Sequence, residues 1–366
     1  MTQHVKYLTQ LTHVTELGST EQEELRLVTD KFALRSNEYY QQLIDWTNPD
    51  DPIRRLIIPA LEELDEWGRL DASDERRFTV VPGLEHKYAD TALLLVNDVC
   101  GGYCRFCFRK RLFMNDNQET VRDITQGLEY IRGHQEITDV LLTGGDPLMM
   151  SAAKLESIIS RLRDITSVKV IRIGTKMPAF NPARIIDDEQ LLEMIGRYSM
   201  PLKRIYIMGH FNHPRELTKA ARKSLQLLFK AGAVVVNQTP LIRGVNSDPV
   251  TLSDLFNELS HLGVPSYYVF QCRPTIGNRT YAVPIEEAFA IFVKAQSRCS
   301  GLASSARFVM SHESGKVEVT GLTEQHIFMR YHRAANPQTH GRCLVFNRKP
   351  TAHWLDDYYS DDAPVG

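Results

Sequence analysis

The sequence predicts an α/β fold in which six β-α units build a parallel sheet or a partial barrel. Three observations carry this expectation. From about residue 91 onward, six short β-rich runs alternate with amphipathic helical segments. The runs are near-continuously apolar, as strands covered on both faces are. The polar segments that follow each run gather at strand C-terminal ends, where folds of this class collect their chemistry.

Residues 1–85 read as a helical N-terminal extension. TEQEELRLVTDKFALRSNEYYQQLID and PIRRLIIPALEELDEW carry apolar residues at helical spacing, bounded by Thr20 and by Asn48-Pro49. The core, 86–300, holds the runs TALLLV (91–96), DVLLTG (139–144), VIRIG (170–174), RIYIMG (204–209), AVVVNQ (233–238) and YYVFQ (267–271). AKLESIISRLRDI and RELTKAARKSLQLLFKAG are among the helices between them. In 301–366, the stretch ARFVMSHESGKVEV is followed from about 325 by an irregular tail, whose end, DDYYSDDAPVG, reads as a solvated acidic terminus.

Composition narrows the function classes. The 366 residues are 43% hydrophobic and 24% charged, with a formal charge of −2, which points to neither a nucleic-acid nor a membrane-surface partner. No stretch approaches eighteen apolar residues, and the opening MTQHVKYLTQLTHVTE has no secretory apolar region. The expectation is a cytoplasmic protein. In a reducing compartment, spaced cysteines serve more often as ligands or catalysts than as disulfides. Cys272, Cys299 and Cys343 are scattered and read as ordinary packing residues.

Cys100, Cys104 and Cys107 are clustered in CGGYCRFC, directly after the first core run. Structural zinc asks for four closed ligands, commonly as two pairs, and no second CxxC exists here. An iron–sulfur cluster held by three thiolates leaves one iron open for another ligand. C-x3-C-x2-C after a first strand resembles the radical S-adenosylmethionine (SAM) enzymes. The resemblance implies that SAM chelates the open iron of a [4Fe-4S] cluster and is cleaved to a 5′-deoxyadenosyl radical. Tyr103, just before Cys104, suits that loop. The TGGDP stretch ending the second run then offers Gly144, Gly145 and Asp146 to the SAM amino group.

A narrower resemblance rests on GGDPL, IRIGTKMPAFNPARI, GHFNHPRELT and NQTPLIRGVNSDP. Together, in order from about Leu84 to Val319, they resemble the lysine 2,3-aminomutase family of radical SAM, pyridoxal phosphate (PLP)-dependent enzymes. The fold implied is a partial (β/α)6 radical SAM barrel with a helical N-terminal extension and an irregular C-terminal tail. The activity implied is migration of an amino group from C2 to C3 of an α-amino acid. By this resemblance His210 and Gln238 lie near SAM. Lys316, after Gly315, is the Schiff-base lysine of PLP, a role that lysine can fill and arginine cannot. Lys87 and Tyr88 match the segment that holds the PLP phosphate, although Thr91 stands where the family carries a second arginine. Arg109 falls on the substrate α-carboxylate, for which a guanidinium offers a bidentate match; the alternative is a solvated basic run, Arg109-Lys110-Arg111.

The family pattern breaks at two places. Lysine-using members hold the distal ammonium with two acidic residues, and here those positions are Arg273 and Ser311. The expected substrate is therefore not free lysine but an amino acid with a distal carboxylate or a neutral polar group. The family's C-terminal zinc cysteines are missing, since the tail offers only Cys343 with His332 and His340, and no zinc is expected. The partners implied are a small-molecule amino acid, an electron donor of the flavodoxin or ferredoxin type, and further copies of the chain in a homo-oligomer. Two rivals remain open from the sequence. One is a radical SAM enzyme of another reaction type, such as an epimerase or a modifier of peptide or protein lysine, with an altered or lost PLP role. The other is a non-catalytic iron–sulfur paralogue.

Overall fold

The structure is a computed structural model that describes residues 5–114, 117, 119–121 and 123–359. The chain divides into two compact units, one formed by 1–61, 76–211 and 215–236, the other by 62–75, 212–214 and 237–366. Of the stretch expected to be a solvated acidic terminus, 356–359 instead pack on the second unit, with Tyr358 buried and Asp357 accepting from His353 N and Trp354 N, while 360–366 lie outside the described residues.

In the first unit, the chain opens with strand β1 (Tyr7–Leu8), helix α1 (Ser19–Lys31), strand β2 (Ser36–Asn37) and helices α2 (Glu38–Gln41) and α3 (Pro52–Ile57). The helical spacing over 20–45 is thus interrupted at 32–37. The cause is tertiary: β2 pairs antiparallel with β1, and Arg35 and Asn37 are drawn out to bond the loop that carries the cysteines. The side chain of Asn37 then caps α2 by accepting from Tyr40 N. Asp51 caps α3 through Ile53 N and Arg54 N, with Pro52 in the first turn; the helix stops before Pro59.

An antiparallel pair, β3 (Thr79–Val81) and β4 (Leu84–Tyr88), leads into the parallel strands β5 (Thr91–Asn97), β6 (Asp139–Gly144), β7 (Val170–Thr175) and β8 (Ile205–Gly209). Their order is β3-β4-β5-β6-β7-β8. Between them run α4 (Thr125–Gly133), α5 (Ala152–Arg163), α6 (Met177–Phe180), α7 (Ala183–Ile186) and α8 (Glu189–Tyr198), with α9 (Lys219–Lys230) after β8. Leu94, Val140, Leu142, Ile171, Ile173 and Ile207 are fully buried, whereas the alternate residues Leu93, Leu141, Arg172 and Tyr206 are half-buried, so one face of these strands is sealed and the other only partly covered.

Strand β9 (Val234–Pro240) ends the first unit and begins the second. The second unit continues with α10 (Pro249–His261), β10 (Ser266–Phe270), α11 (Ile285–Gln296) and β11 (Arg307–His312). Strands β9, β10 and β11 are parallel. Then β12 (Gly315–Leu322), β13 (His326–Ala334) and β14 (Cys343–Asn347) follow antiparallel. All six β-rich runs of the sequence form strands, β5 through β10, within two residues of the expected limits. The fold is the open α/β arrangement expected. The irregular tail starts later than 325, because β13 and β14 first bury Ile327, Met329 and Phe346. Among the described residues no helix is long and apolar enough to cross a membrane.

Candidate active site

The cysteine loop leaves the end of β5 and is tied from two sides. Asn97 Nδ2 donates to Val99 O (2.7 Å) and Asp146 O (2.8 Å). Arg35 Nε donates to Cys100 O (2.7 Å), Asn37 Nδ2 to Gly101 O (3.0 Å), and Tyr103 N to Arg35 O (2.8 Å). Tyr103 stacks on Phe113 with ring centroids 4.2 Å apart. Cys100, Cys104 and Cys107 are half-buried free thiols. Burial pushes all three up, Cys104 to about 12, while Lys176 beside Cys104 and the backbone and cations of 109–111 beside Cys107 pull the other way. No group of three His, Cys, Asp or Glu among the described residues could hold a single metal ion. A four-iron cluster makes a different demand, because each thiolate binds its own iron and the three need not meet at a point.

The loop after β6 explains the paired glycines. Gly145 N donates to Asn97 O (2.6 Å) and Asp146 N to Val99 O (2.9 Å). A Cβ on Gly145 would lie 2.6 Å from Val99 N and O, and one on Gly144, which has φ +108, would lie 2.5 Å from Asn97 O. The glycines therefore let this loop press on the backbone that launches the cysteines. Asp146 is inside the protein: Oδ1 accepts from Leu148 N (3.0 Å), and Oδ2 accepts from Thr175 Oγ1 (2.9 Å) and Lys176 N (2.8 Å). Burial raises its carboxyl to about 6 against those hydrogen bonds. Its side chain ties the ends of β6 and β7 together, and its carbonyl holds Asn97.

The basic run after the cluster loop is not solvated. Arg109, Lys110 and Arg111 are 8%, 6% and 6% exposed. Arg109 Nη1 donates to Thr143 Oγ1 (3.3 Å), Nη2 stands 3.9 Å from Glu85 Oε1, and the guanidinium lies 4.9 Å from the Phe108 ring centroid. Lys110 Nζ sits 4.3 Å from the Phe32 ring centroid. Arg111 meets the Glu119 carboxylate through Nε (3.0 and 3.1 Å) and Nη2 (2.9 Å). On β4, Lys87 Nζ lies 4.9 Å from the Phe78 ring centroid, and Thr91 Oγ1 donates to Asp90 Oδ1 (2.8 Å). Tyr88 pairs across the turn with Thr91.

His210 follows β8 and stacks on Phe106, centroids 6.0 Å apart and planes 13° from parallel. Desolvation, with Lys176 nearby, lowers its ring to about 3, so it is neutral at ordinary pH, and its buried Nε2 has no hydrogen-bond partner among the described residues. Beneath it lies a network that the motifs did not reveal. Lys176 Nζ donates to His210 O (2.9 Å) and to Glu216 Oε1 (2.6 Å), which also accepts from Tyr40 OH (2.5 Å). Lys176 and Glu216 fall within IRIGTKMPAFNPARI and GHFNHPRELT, two stretches quoted for the resemblance, but nothing in either stretch pairs one with the other.

In the second unit, β11 and β12 form a tight hairpin in which Ser311 pairs with Lys316 and His312 with Gly315. Lys316 is thus a half-buried strand residue rather than an exposed turn lysine. Its Nζ lies 4.8 and 5.2 Å from the Phe270 and Tyr268 ring centroids and 3.4 Å from Ser311 Oγ. Arg273, on the loop after β10, places Nη1 3.9 Å from Glu75 Oε1. Gln238 is half-buried on β9, opposite Tyr268. Cys272 is buried and Cys299 bonds Ala295 O (3.3 Å), as packing residues do, whereas Cys343 is exposed.

An open parallel α/β fold whose first core strand delivers three thiols to one loop, braced by a glycine pair from the next strand, defines a radical SAM enzyme. The sequence family described as the Radical SAM superfamily matches residues 94–256. The chain is 56% identical over 359 residues to a protein of Aquifex aeolicus (strain VF5) provisionally named L-lysine 2,3-aminomutase, covering 98% of this chain and 96% of that one. It is 35% identical over 288 residues to the L-lysine 2,3-aminomutase of Acetoanaerobium sticklandii, covering 78% and 68%. It is 32% identical over 307 residues to the glutamate 2,3-aminomutase of Clostridioides difficile (strain 630), covering 83% and 71%. The chain belongs to the lysine 2,3-aminomutase family of radical SAM enzymes; it is an isomerase, with a [4Fe-4S] cluster, SAM and PLP as its cofactors.

The residues present suit those groups. The three thiols share one loop, with Lys176 beside Cys104 and the cations of 109–111 beside Cys107, and a coordinating thiol gives up its proton outright. The orphaned His210 Nε2 is a polar atom awaiting a ligand. Lys316 presents a primary amine, the group a Schiff base with PLP requires, over the Phe270 and Tyr268 rings.

Proposed function

We propose that this chain is a 2,3-aminomutase acting on an α-amino acid other than lysine, with an acidic or neutral polar side chain. The observation that carries the reading is what stands at the two positions where lysine-specific relatives need carboxylates: Ser311, whose hydroxyl lies 3.4 Å from Lys316 Nζ, and Arg273, on the loop after β10. That two curated relatives carry the names lysine and glutamate 2,3-aminomutase is in keeping with a family whose substrate side chain varies.

Within this reading Cys100, Cys104 and Cys107 hold the cluster, and Gly144, Gly145, Asp146, His210 and Gln238 form the SAM side of the site. Arg109 orients the substrate α-carboxylate, while Lys87 and Tyr88 hold the PLP phosphate and Lys316 supplies the amine that carries PLP. When bound, the cluster and SAM provide a hydrogen-abstracting radical and PLP provides the π system through which an amino group can move. Neutral His210 offers a hydrogen bond without adding charge. A small one-electron donor of the flavodoxin or ferredoxin type, a homo-oligomeric assembly and a reducing, cytoplasmic setting belong to the same proposal; six free cysteines with no disulfide accord with such a setting.

The test is anaerobic incubation of reduced, cluster- and PLP-loaded protein with SAM and a panel of amino acids. Substrate-dependent 5′-deoxyadenosine and a β-amino product from a non-lysine amino acid are expected. Turnover of lysine above every other amino acid would sink the substrate assignment. Borohydride should trap PLP on Lys316, and retention of the same adduct in Lys316→Ala would sink the lysine assignment.

A further inference from the structure

Segment 62–75 precedes the first core strand in sequence yet lies within the second unit, pressed on the loop that carries Arg273. Arg69 N donates to Pro274 O (3.0 Å), and Gly277 N donates to Asp65 O (2.9 Å). Gly68 approaches so closely that a Cβ there would fall 1.9 Å from Pro274 O. Tyr281 OH donates to Glu63 Oε1 (3.2 Å). Ser73 Oγ donates to the carbonyl of Ser311 (3.3 Å), the residue whose hydroxyl meets Lys316. At the end of this strap stands Glu75, whose N–H donates to Asp71 Oδ1 (3.0 Å). Its side chain and that of Arg273 are 9% and 14% exposed, and their nearest charged atoms are 3.9 Å apart.

We propose that Glu75 is a specificity-determining residue. With Arg273 it forms a donor–acceptor pair that selects an amino acid whose side chain ends in a neutral group able both to accept and to donate, the carboxamide class. This rests on the reading above that Arg273 faces the substrate side chain. The 3.9 Å separation exceeds the 2.7–3.2 Å of a direct N–H···O bond. A carboxamide meets both partners at once, its carbonyl oxygen accepting from the guanidinium and its NH2 donating to the carboxylate. A distal carboxylate gains Arg273 but is repelled by Glu75; a distal ammonium gains Glu75 but is repelled by Arg273. Ser311, a neutral donor and acceptor, adds no charge that would break the tie. Arg273 alone leaves an acidic and a neutral polar side chain both open, and Glu75 decides between them.

The experiment titrates the full-length, cluster- and PLP-loaded protein with glutamine, glutamate, asparagine, aspartate and lysine, following the PLP absorbance change on amino-acid binding. Formation of β-amino products is scored in parallel. The wild type should half-saturate with the better carboxamide at a concentration at least tenfold below that for its matched carboxylate. Glu75→Gln should erase that preference and move it at least tenfold toward the carboxylate; Arg273→Gln, which removes the guanidinium and keeps Glu75, should move it toward lysine. A wild type that prefers a carboxylate or lysine, or that answers neither carboxamide, overturns the proposal. So does an unchanged carboxamide-to-carboxylate ratio in Glu75→Gln. The Arg273→Gln arm gives an independent decision if Glu75→Gln does not fold. Binding preferences that shift as stated without any β-amino product would leave Glu75 in place and remove the mutase reading; β-amino product with unmoved preferences would do the reverse.

Discussion

Lys176 Nζ lies 2.6 Å from Glu216 Oε1, with the two side chains 6% and 0% exposed. This is an ion pair sealed beneath the cysteine loop, completed by Tyr40 OH on the carboxylate and His210 O on the ammonium. Removing one partner leaves a buried, unpaired charge, which costs about 3–5 kcal/mol. Lys176→Met should therefore lower the urea midpoint of the full-length protein strongly. Lys176→Met combined with Glu216→Leu should cost much less than the sum of the two single changes. A single variant within about 1 kcal/mol of wild type would show that the pair contributes no more than a surface one.

Gly145→Ala should disable the cysteine loop. The new Cβ would stand 2.6 Å from Val99 N and O, inside the hydrogen-bonded meeting of two backbones, with no flexible side chain to give way. Iron content and the visible charge-transfer absorbance after anaerobic reconstitution should fall several-fold relative to wild type. Full cluster loading in Gly145→Ala would mean that the loop after β6 does not set the position of the thiols.

The six core strands and the cysteine triad were legible because each depends on local information, an apolar run or a ligand spacing. The place of Lys316 was legible for the same reason, since GK ahead of an alternating strand marks the start of β12; its role belongs to the proposal. The rest depends on long-range packing. The break in helical pattern at 32–37 comes from Arg35 and Asn37 bonding the cysteine loop, and nothing in their own neighbourhood signals that. Glu85, Glu216 and Glu75 look like ordinary acidic surface residues until the fold sets them beside Arg109, Lys176 and Arg273. Charge runs mislead for the same reason: the alternative of a solvated Arg109-Lys110-Arg111 run fails because a ring and a carboxylate take Lys110 and Arg111 inside.

Asp146 should leave a pH signature. Burial holds its folded-state carboxyl near 6, above the ordinary 3.8, so the folded protein binds that proton more tightly than the unfolded chain. The resulting stabilisation is fully present below 3.8 and is lost as pH rises through about 6. A rise of that size is equivalent to about 3 kcal/mol. The stability of wild type relative to Asp146→Asn, measured by urea unfolding, should fall by about that amount between pH 4 and pH 7. A difference that stays flat, or that grows with pH, would contradict a raised carboxyl at this position.

Arg109→Lys should separate substrate binding from cluster chemistry. The guanidinium is held by Thr143 and the Phe108 face, with Glu85 at 3.9 Å, so its fork is fixed in direction before any substrate arrives. Lysine keeps the charge but offers a point donor on a flexible stem and cannot present two parallel N–H groups to a carboxylate. KM for the amino acid should rise by at least about tenfold, the loss of one charge-assisted hydrogen bond. Substrate-free release of 5′-deoxyadenosine under strong reduction should stay near the wild-type rate. A KM unchanged in Arg109→Lys would remove Arg109 from the α-carboxylate and leave it as a structural tie between β4, β6 and the cysteine loop.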